Sequence, residues 1–231
     1  MTVVIATLKS WNIRLTHELK QKRKNDDFHI FTSKDELSFD ELSIIKPDFI
    51  FFPHWSYIIP CVIYENYKCV VFHMTDLPFG RGGSPLQNLI TRGVTETKIS
   101  AIAITAEIDA GDIYMKEPLS LHGSAEEIYK RASEIIFRKM IPHILDNRPT
   151  PTPQVGETIV FERRTPEMSE LSQSMTINQI YDYIRMLDAE GYPKAFLKFG
   201  NYYMRFTRAQ KTEKGIITEV LIEENYSDDK H

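Results

Sequence analysis

Short apolar runs separated by amphipathic segments divide the first two thirds of the chain. The runs lack the polar–apolar alternation of half-exposed strands, which is typical of strands buried in a parallel sheet. Helical patterns of roughly ten residues between the first runs indicate βαβ crossovers. The predicted strands are Thr2–Leu8, Phe28–Thr32, Phe49–Pro53, Lys68–Phe72, Ile99–Thr105 and Asp112–Met115. We therefore expect an α/β fold, a Rossmann-like and mostly parallel sheet with helices on both faces.

A proline-rich stretch separates this region from the rest of the chain. The long helix predicted over Ser124–Leu145 begins with a capping-box pattern and ends just before Asn147–Pro153, which is typical of an extended linker. A strand, a helix at Thr176–Leu187 and a strand pair follow, and the polar tail Glu223–His231 is expected to fray. The pattern thus predicts two domains, residues 1–147 and a small mixed α+β region at 148–231.

Composition narrows the class of protein. An apolar fraction of 42% over 231 residues is enough to bury a core, and a net charge of −4 lacks the basic footprint of nucleic-acid binders. Cys61 and Cys69 lie in apolar surroundings, so we expect buried thiols in a reducing compartment. No run approaches the ~20 apolar residues that span a membrane, and Thr2–Leu8 is too short for a signal peptide. These features predict a cytoplasmic protein without a membrane or nucleic-acid partner.

An imidazole and a carboxylate each follow a predicted strand. His73 ends the apolar run before a glycine-rich loop, and Asp109 follows the next strand. A lone histidine is more often structural, and Asp-Ala-Gly-Asp alone would be an ordinary turn. Their placement at the ends of consecutive strands favours a base with its orienting carboxylate.

Other candidate features have two interpretations each. Gly80–Gly83 would suit either a phosphate cradle or a close backbone approach to a substrate. Trp55 and Tyr57 follow the third strand, where open α/β sheets bind ligands, but such rings are also common in cores. His54 and His73 are isolated from other ligand-type residues, so no metal site is expected.

Three motifs together resemble the folate-dependent formyltransferase family. They are His73-Met74-Thr75-Asp76-Leu77-Pro78, Arg81-Gly82-Gly83-Ser84-Pro85 and Ile108-Asp109-Ala110-Gly111-Asp112-Ile113. In the family pattern the aspartate follows the histidine by 36 residues, as Asp109 follows His73 here. Ile180–Phe196 resembles the sugar N-formyltransferase branch, and the first motif resembles its pseudaminic-acid pathway enzymes. The chain also stops short of a full tRNA-contacting domain, which favours an amino-sugar acceptor.

The resemblance implies transfer of a formyl group from N10-formyltetrahydrofolate to the amine of a nucleotide-linked 4-amino sugar, without a metal. It implies His73 and Asp109 as the residues that move the proton and stabilise the oxyanion. The folate contacts that it implies are Trp55, Ser56, Tyr57, Ile58, Ile59, Ile104 and Ile108. The acceptor contacts are Asn12, Thr75, Asp76, Arg81, Gly82 and Tyr192. Arg81 would suit a diphosphate and a structural role in the turn equally well.

One departure from the family pattern bears on the chemistry. The family's asparagine, two residues before the histidine, is replaced here by Val71. His73, Thr75 and Asn12 are the candidate donors in its place. Val71 motivates one alternative to sugar formylation, a folate- or nucleotide-sugar-binding protein without turnover. A methionyl-tRNA formyltransferase and a folate-releasing hydrolase are two further alternatives, and the sugar-like carboxyl-terminal segment argues against the hydrolase. The resemblance also implies a homodimer through the carboxyl-terminal region, where Phe196, Phe199, Tyr202 and Tyr203 would suit an interface or a small core.

Overall fold

The computed structural model describes residues 1–224, which form two compact units interleaved along the chain. The first unit comprises Met1–Gly82, Thr97–Leu119 and Lys130–Val160. The second comprises Gly83–Glu96, Ser120–Tyr129 and the chain from Phe161 onward. Each unit has its own sheet.

A six-stranded sheet in the order β2-β1-β3-β4-β6-β7 is the centre of the first unit. Its strands are β1 Thr2–Ala6, β2 Asp27–Phe31, β3 Phe49–Phe52, β4 Cys69–His73, β6 Glu96–Ala103 and β7 Ile113–Ser120. The pairs β1–β2, β1–β3 and β3–β4 are parallel, and β4–β6 is antiparallel. Fully apolar stretches such as Val3–Ala6 are buried, as expected for central strands. The predicted α/β class with a mostly parallel sheet is confirmed.

The helices that accompany this sheet include α1 Ser10–Lys22, α2 Phe39–Ile45 and α3 Cys61–Tyr64. The long helix expected near Ser124–Leu145 has three segments, α5 Ala125–Ile135, a π-helical turn Ile136–Met140 and α6 Ile141–Asn147. Cys69 is buried, and burial raises the pKa of its thiol to about 12. Cys61 is exposed, which corrects the expectation that both thiols are buried: it begins a short helix at the surface.

The second unit contains helices α4 Pro85–Thr91 and α7 Ile177–Leu187 and an antiparallel sheet. The strands of this sheet are β9 Ala195–Phe199, β10 Tyr202–Lys211 and β11 Ile216–Glu224. The mixed α+β character predicted for this region is confirmed. Phe196 is buried, whereas Phe199 and Tyr202 are exposed, and the dimer stays a prediction. The first two residues of the predicted fraying tail belong to β11, and the remaining seven lie outside the described residues.

The proline-rich segment stays with the first unit. Ile113 and Thr152 exchange two backbone hydrogen bonds, of 2.8 and 3.0 Å, which attach the segment to β7. The short strands Phe79–Gly82 (β5) and Ile159–Phe161 (β8) also pair. The division into units therefore differs from the boundary predicted between residues 147 and 148. Among residues 1–224, no helix combines the length and apolar character needed to cross a bilayer.

Candidate functional site

His73 is the last residue of β4, and only 8% of its surface is exposed. Its Nε2 atom lies 2.7 Å from the carbonyl oxygen of Gly80 in β5. Because a carbonyl oxygen only accepts hydrogen bonds, Nε2 carries the proton in this contact. Nδ1, the other ring nitrogen, faces Asp109.

The carboxylate of Asp109 connects this imidazole to the glycine strand. Its Oδ1 lies 3.4 Å from Nδ1 of His73, and its Oδ2 accepts a hydrogen bond of 2.9 Å from the backbone N–H of Gly82. Asp109 has a φ of +55°, in the left-handed region that aspartate enters more readily than most residues. The structure thus brings together the two residues that the sequence marked as a pair, and their catalytic roles stay a prediction.

Gln154 supports the Asp109 loop and was not among the predicted site residues. Its Nε2 donates to the carbonyl oxygens of Asp109 and Gly111, at 2.8 and 2.9 Å. Its Oε1 accepts two hydrogen bonds from the Arg81 guanidinium, at 3.1 and 2.9 Å. No sequence signal marked Gln154, because it follows a proline-rich stretch that is typical of a spacer.

Three of the predicted acceptor contacts, Arg81, Gly82 and Tyr192, interact with other residues of the protein. The Arg81 guanidinium bonds Gln154 and also pairs with Glu107 at 3.0 Å, while the N–H of Gly82 is used by Asp109. These contacts favour a structural role for Arg81, which was the alternative to diphosphate binding, and the acceptor contacts stay predictions. Tyr192 belongs to the second unit, where its ring stacks on another tyrosine at 5.3 Å and burial raises the pKa of its hydroxyl.

The side chains of three more predicted acceptor contacts also bind other residues of the protein: Asn12, Thr75 and Asp76. The Asn12 side chain is fully buried and donates to Thr7 Oγ1 at 2.8 Å, which leaves it no surface for an acceptor. Thr75 is fully buried as well, and its hydroxyl donates to the Gly80 carbonyl at 3.3 Å. Two lysines, Lys98 and Lys116, pair with the Asp76 carboxylate. Asn12 and Thr75 therefore do not fit the role of oxyanion donor that was expected of them.

A partly buried apolar cluster forms around β3 and β4. It contains four residues of interest, Trp55, Ile59, Val71 and Ile104, all packed against the buried core. Trp55, Ile59 and Ile104 were predicted folate contacts. The other four predicted folate contacts, Ser56, Tyr57, Ile58 and Ile108, are exposed. The indole N–H of Trp55 is buried and has no hydrogen-bond partner among the described residues. Val71 thus occupies the family's asparagine position with an apolar contact.

Ligands of a metal ion are not gathered in the part of the chain that the structure describes. No group of three or more His, Cys, Asp or Glu side chains is arranged there to hold one. The chemistry that the His73–Asp109 contact offers is proton transfer and stabilisation of negative charge.

Comparisons with known proteins identify the family. Residues 166–223 match the family model of the methionyl-tRNA formyltransferase C-terminal domain. A solved structure described as a methionyl-tRNA formyltransferase from Clostridium thermocellum is 56% identical with a TM-score of 0.95, over 97% of this chain and 99% of that one. The methionyl-tRNA formyltransferase of Lactobacillus acidophilus is 30% identical over 151 residues, 63% of this chain and 48% of that protein. The chain spans about half the length of the curated relatives that it matches.

These findings correct the prediction of a sugar N-formyltransferase. A sugar N-formyltransferase from Shewanella shares only 14% identity at a TM-score of 0.73, over 92% of this chain and 98% of that one, which shows the fold alone. The predicted nucleotide-sugar acceptor, its pseudaminic-acid pathway and the exclusion of a nucleic-acid partner were wrong, because the far more similar relatives carry the methionyl-tRNA name. The fold is common to both branches and could not separate them. The chain belongs to the folate-dependent N-formyltransferase family.

Proposed function

We propose that this protein transfers the formyl group of N10-formyltetrahydrofolate to the amine of methionyl-tRNA. The observation that carries the proposal is the contact of His73 with Asp109 at the end of β4. It occurs in a chain that is 56% identical, over nearly its whole length, to one named methionyl-tRNA formyltransferase. The family fold and this contact together support formyl transfer as the reaction.

The amine attacks the formyl carbon, and a C–N bond forms while the carbonyl oxygen becomes an oxyanion. Collapse of this tetrahedral adduct breaks the bond to N10, and the proton that the amine loses is balanced by one that N10 gains. Nδ1 of His73 faces Asp109, so a positive charge on the ring would be stabilised by the carboxylate. Nε2 donates to Gly80, and donation to the oxyanion would exchange that bond for one to the substrate.

The oxyanion would have few other donors. Val71 offers no N–H from its side chain, and Asn12 and Thr75 are buried in other hydrogen bonds. Loss of one oxyanion donor typically costs about 10²–10³ in rate. We therefore expect His73 to carry this stabilisation alone among the candidate side chains, with a slow reaction as the consequence.

The apolar cluster suits the pterin ring of the formyl donor. Trp55, Ile59 and Ile104 would hold the flat ring between apolar surfaces, which is the usual character of a cofactor pocket. A ligand carbonyl would also satisfy the buried indole N–H of Trp55, whose burial without a partner is otherwise unfavourable. When bound, the folate supplies the formyl group.

The second unit has features that suit an RNA acceptor. Lys198 and Arg205 lie 5.8 and 5.4 Å from the ring centre of Tyr203, and Lys211 lies 4.6 Å from that of Tyr181. Cations beside aromatic rings suit phosphates and stacked bases. Two of these cations also pair with glutamates, which lowers their net attraction for RNA. The match to a methionyl-tRNA formyltransferase C-terminal domain over residues 166–223 supports the same acceptor.

The test is a formylation assay with N10-formyltetrahydrofolate and methionyl-tRNA, with phenylalanyl-tRNA as the competing acceptor. We expect formylmethionyl-tRNA, and His73→Ala should reduce its formation at least ~100-fold. His29→Ala is the matched control, because His29 also contacts an aspartate but lies in edge strand β2, outside the candidate site. Absence of product with folded protein at high enzyme concentration would overturn the proposal.

A folate-binding protein without turnover is the second candidate, and Val71 is the observation that favours it. The valine removes the side-chain donor expected from the family pattern and replaces it with an apolar contact. Titration with tetrahydrofolate, followed by tryptophan fluorescence, would detect binding through Trp55. Binding without formyl transfer to methionyl-tRNA would favour this candidate, whereas product formation would exclude it.

A further inference from the structure

We propose that Gln154 is a positioning residue whose amide holds the backbone of Asp109, so that the Asp109 carboxylate stays in contact with His73. The proposal rests on the proposed function, because it takes His73 and Asp109 as the reacting pair. Gln154 contacts neither reactive group directly. It acts on the carbonyl of Asp109, at 2.8 Å, and on that of Gly111, at 2.9 Å.

The orientation of the Gln154 amide follows from its partners. Arg81 only donates, so the oxygen of the amide must face the guanidinium. The carbonyls of Asp109 and Gly111 only accept, so the nitrogen must face the loop. The side chain thus needs an acceptor at one end and two N–H groups at the other. Glutamine supplies both, whereas glutamate lacks the donors and methionine of similar length lacks both.

Asp109 needs such support because its backbone is in the left-handed region, with a φ of +55°. A residue with a Cβ stays in that region only where its surroundings hold it. Gly82 holds the Asp109 side chain through its N–H, and Gln154 holds the Asp109 main chain. With the main chain released, the carboxylate could turn away from the imidazole, whose Nδ1 is already 3.4 Å from Oδ1.

The same network returns to His73 along strand β5. Arg81, which bonds Gln154, lies between Gly80, the partner of His73 Nε2, and Gly82, the partner of Asp109. Both ring nitrogens of His73 therefore face groups that this network fixes. This arrangement makes Gln154 a common support for the two contacts of the imidazole.

The first experiment measures turnover in a double-mutant cycle of Gln154→Met and Asp109→Asn. We expect Gln154→Met to lower kcat about 10- to 100-fold by misplacing the carboxylate, with KM for the folate unchanged. In the Asp109→Asn background the same change should cost almost nothing more, because the group that it positions is gone. Full additivity of the two losses would overturn the proposal. Gln154→Glu keeps the bonds to Arg81 but loses the donors, and it should behave like Gln154→Met.

The second experiment needs no acceptor. The imidazole ¹⁵N signals of His73 are recorded in free wild-type protein, Gln154→Met, Gln154→Glu and Asp109→Asn. We expect both Gln154 variants to move the signals toward those of Asp109→Asn, and unchanged signals in folded variants would overturn the proposal. Gln87→Met is the control, since Gln87 is a buried amide that bonds Tyr129 and Met186: it should lower the melting temperature and leave the signals unchanged. The two proposals can fail separately. If the wild type does not formylate methionyl-tRNA but the Gln154 variants shift the His73 signals, the proposed acceptor is refuted and the role of Gln154 is retained.

Discussion

The Asp109 carboxylate lies 3.4 Å from Nδ1 of His73 and also accepts the N–H of Gly82. Asp109→Asn tests this relationship with little change of shape. Asparagine tolerates the left-handed backbone and keeps an oxygen for Gly82, but it places no negative charge beside the ring. We expect kcat to fall at least ~100-fold, with a melting temperature within a few degrees of wild type. Initial rates of formyl transfer and thermal melts measure the two effects.

The protein contains a second aspartate–histidine contact that serves as the control. In edge strand β2, Nε2 of His29 lies 3.0 Å from Oδ2 of Asp27, and both side chains reach the surface. Asp27→Asn removes the same type of charge without touching the candidate site, so its rate should equal that of wild type. A near-native rate for Asp109→Asn would remove Asp109 from the mechanism.

Val71→Asn tests the missing oxyanion donor. The change restores the family's amide at a position that now packs, like Trp55 and Ile104, against the buried core. Burying the amide there should cost roughly 1–3 kcal/mol and lower the melting temperature by about 5 °C. If the side chain donates to the oxyanion, kcat should nevertheless rise about tenfold or more. Paired measurements of melting and kcat separate the two effects.

Val71→Thr is the matched control for this change. Threonine has nearly the shape of valine and adds a polar atom, but its hydroxyl lies closer to the backbone than an asparagine amide does. It should lower stability without raising kcat. A kcat for Val71→Asn that falls in step with stability would show that position 71 no longer faces the reacting atoms.

The fold was predictable wherever burial left a pattern in the sequence. β1, β3 and β4 are continuous apolar runs because both faces of a central parallel strand are covered. β5 was missed because its four residues, Phe79–Gly82, include two glycines and are typical of a loop. β11 was missed because most of its side chains are exposed and its acidic end resembles a polar tail. The antiparallel direction of β6 depends on its path after α4, which no local pattern records.

The candidate site was only partly predictable for a related reason. His73 ends β4, and Asp109 lies in the loop after β6. Because β6 runs antiparallel to β4, the end of β6 lies opposite Val70, and it is the loop after β6 that places Asp109 beside His73. The pairing of Thr152 with Ile113 of β7 brings the neighbouring Gln154 to the Asp109 loop. That pairing is a tertiary contact between segments about forty residues apart, and neither segment has a sequence pattern that predicts it. The branch was mistaken because Ile180–Phe196, which suggested the sugar enzymes, lies within the residues 166–223 that match the methionyl-tRNA formyltransferase C-terminal domain.

Because of His54, we predict that the protein loses stability in mild acid. Burial, together with the nearby charge of Lys9, lowers the pKa of its enclosed ring to about 4. The unfolded chain, with an ordinary histidine pKa near ~6.5, binds a proton over a range in which the folded protein does not. Stability is therefore full above about pH 6.5 and declines as the pH falls toward 4. The loss between pH 7 and 5 should be about 2 kcal/mol.

The contribution of His54 is isolated by comparison with His54→Asn. Asparagine suits the positive φ of 54° at this position but does not titrate. Urea unfolding at pH 7 and pH 5 should show a smaller loss in the variant by about 2 kcal/mol. Equal losses in the two proteins would mean that the folded protein opens and protonates this ring.

Gly111→Ala tests whether the Asp109 loop needs the close approach of the Gly111 backbone to Ala103 of β6. A Cβ at position 111 would lie 1.8 Å from the carbonyl oxygen of Ala103, so the loop must shift away from β6. We expect a loss of about 1–3 kcal/mol in unfolding free energy. Activity should fall as well, because the Gly111 carbonyl is one of the two that Gln154 binds. Gly93→Asn is the control, since Gly93 has open space around it and a φ of +73° that asparagine tolerates. Gly111→Ala with wild-type stability and rate would show that this loop can move without disturbing His73.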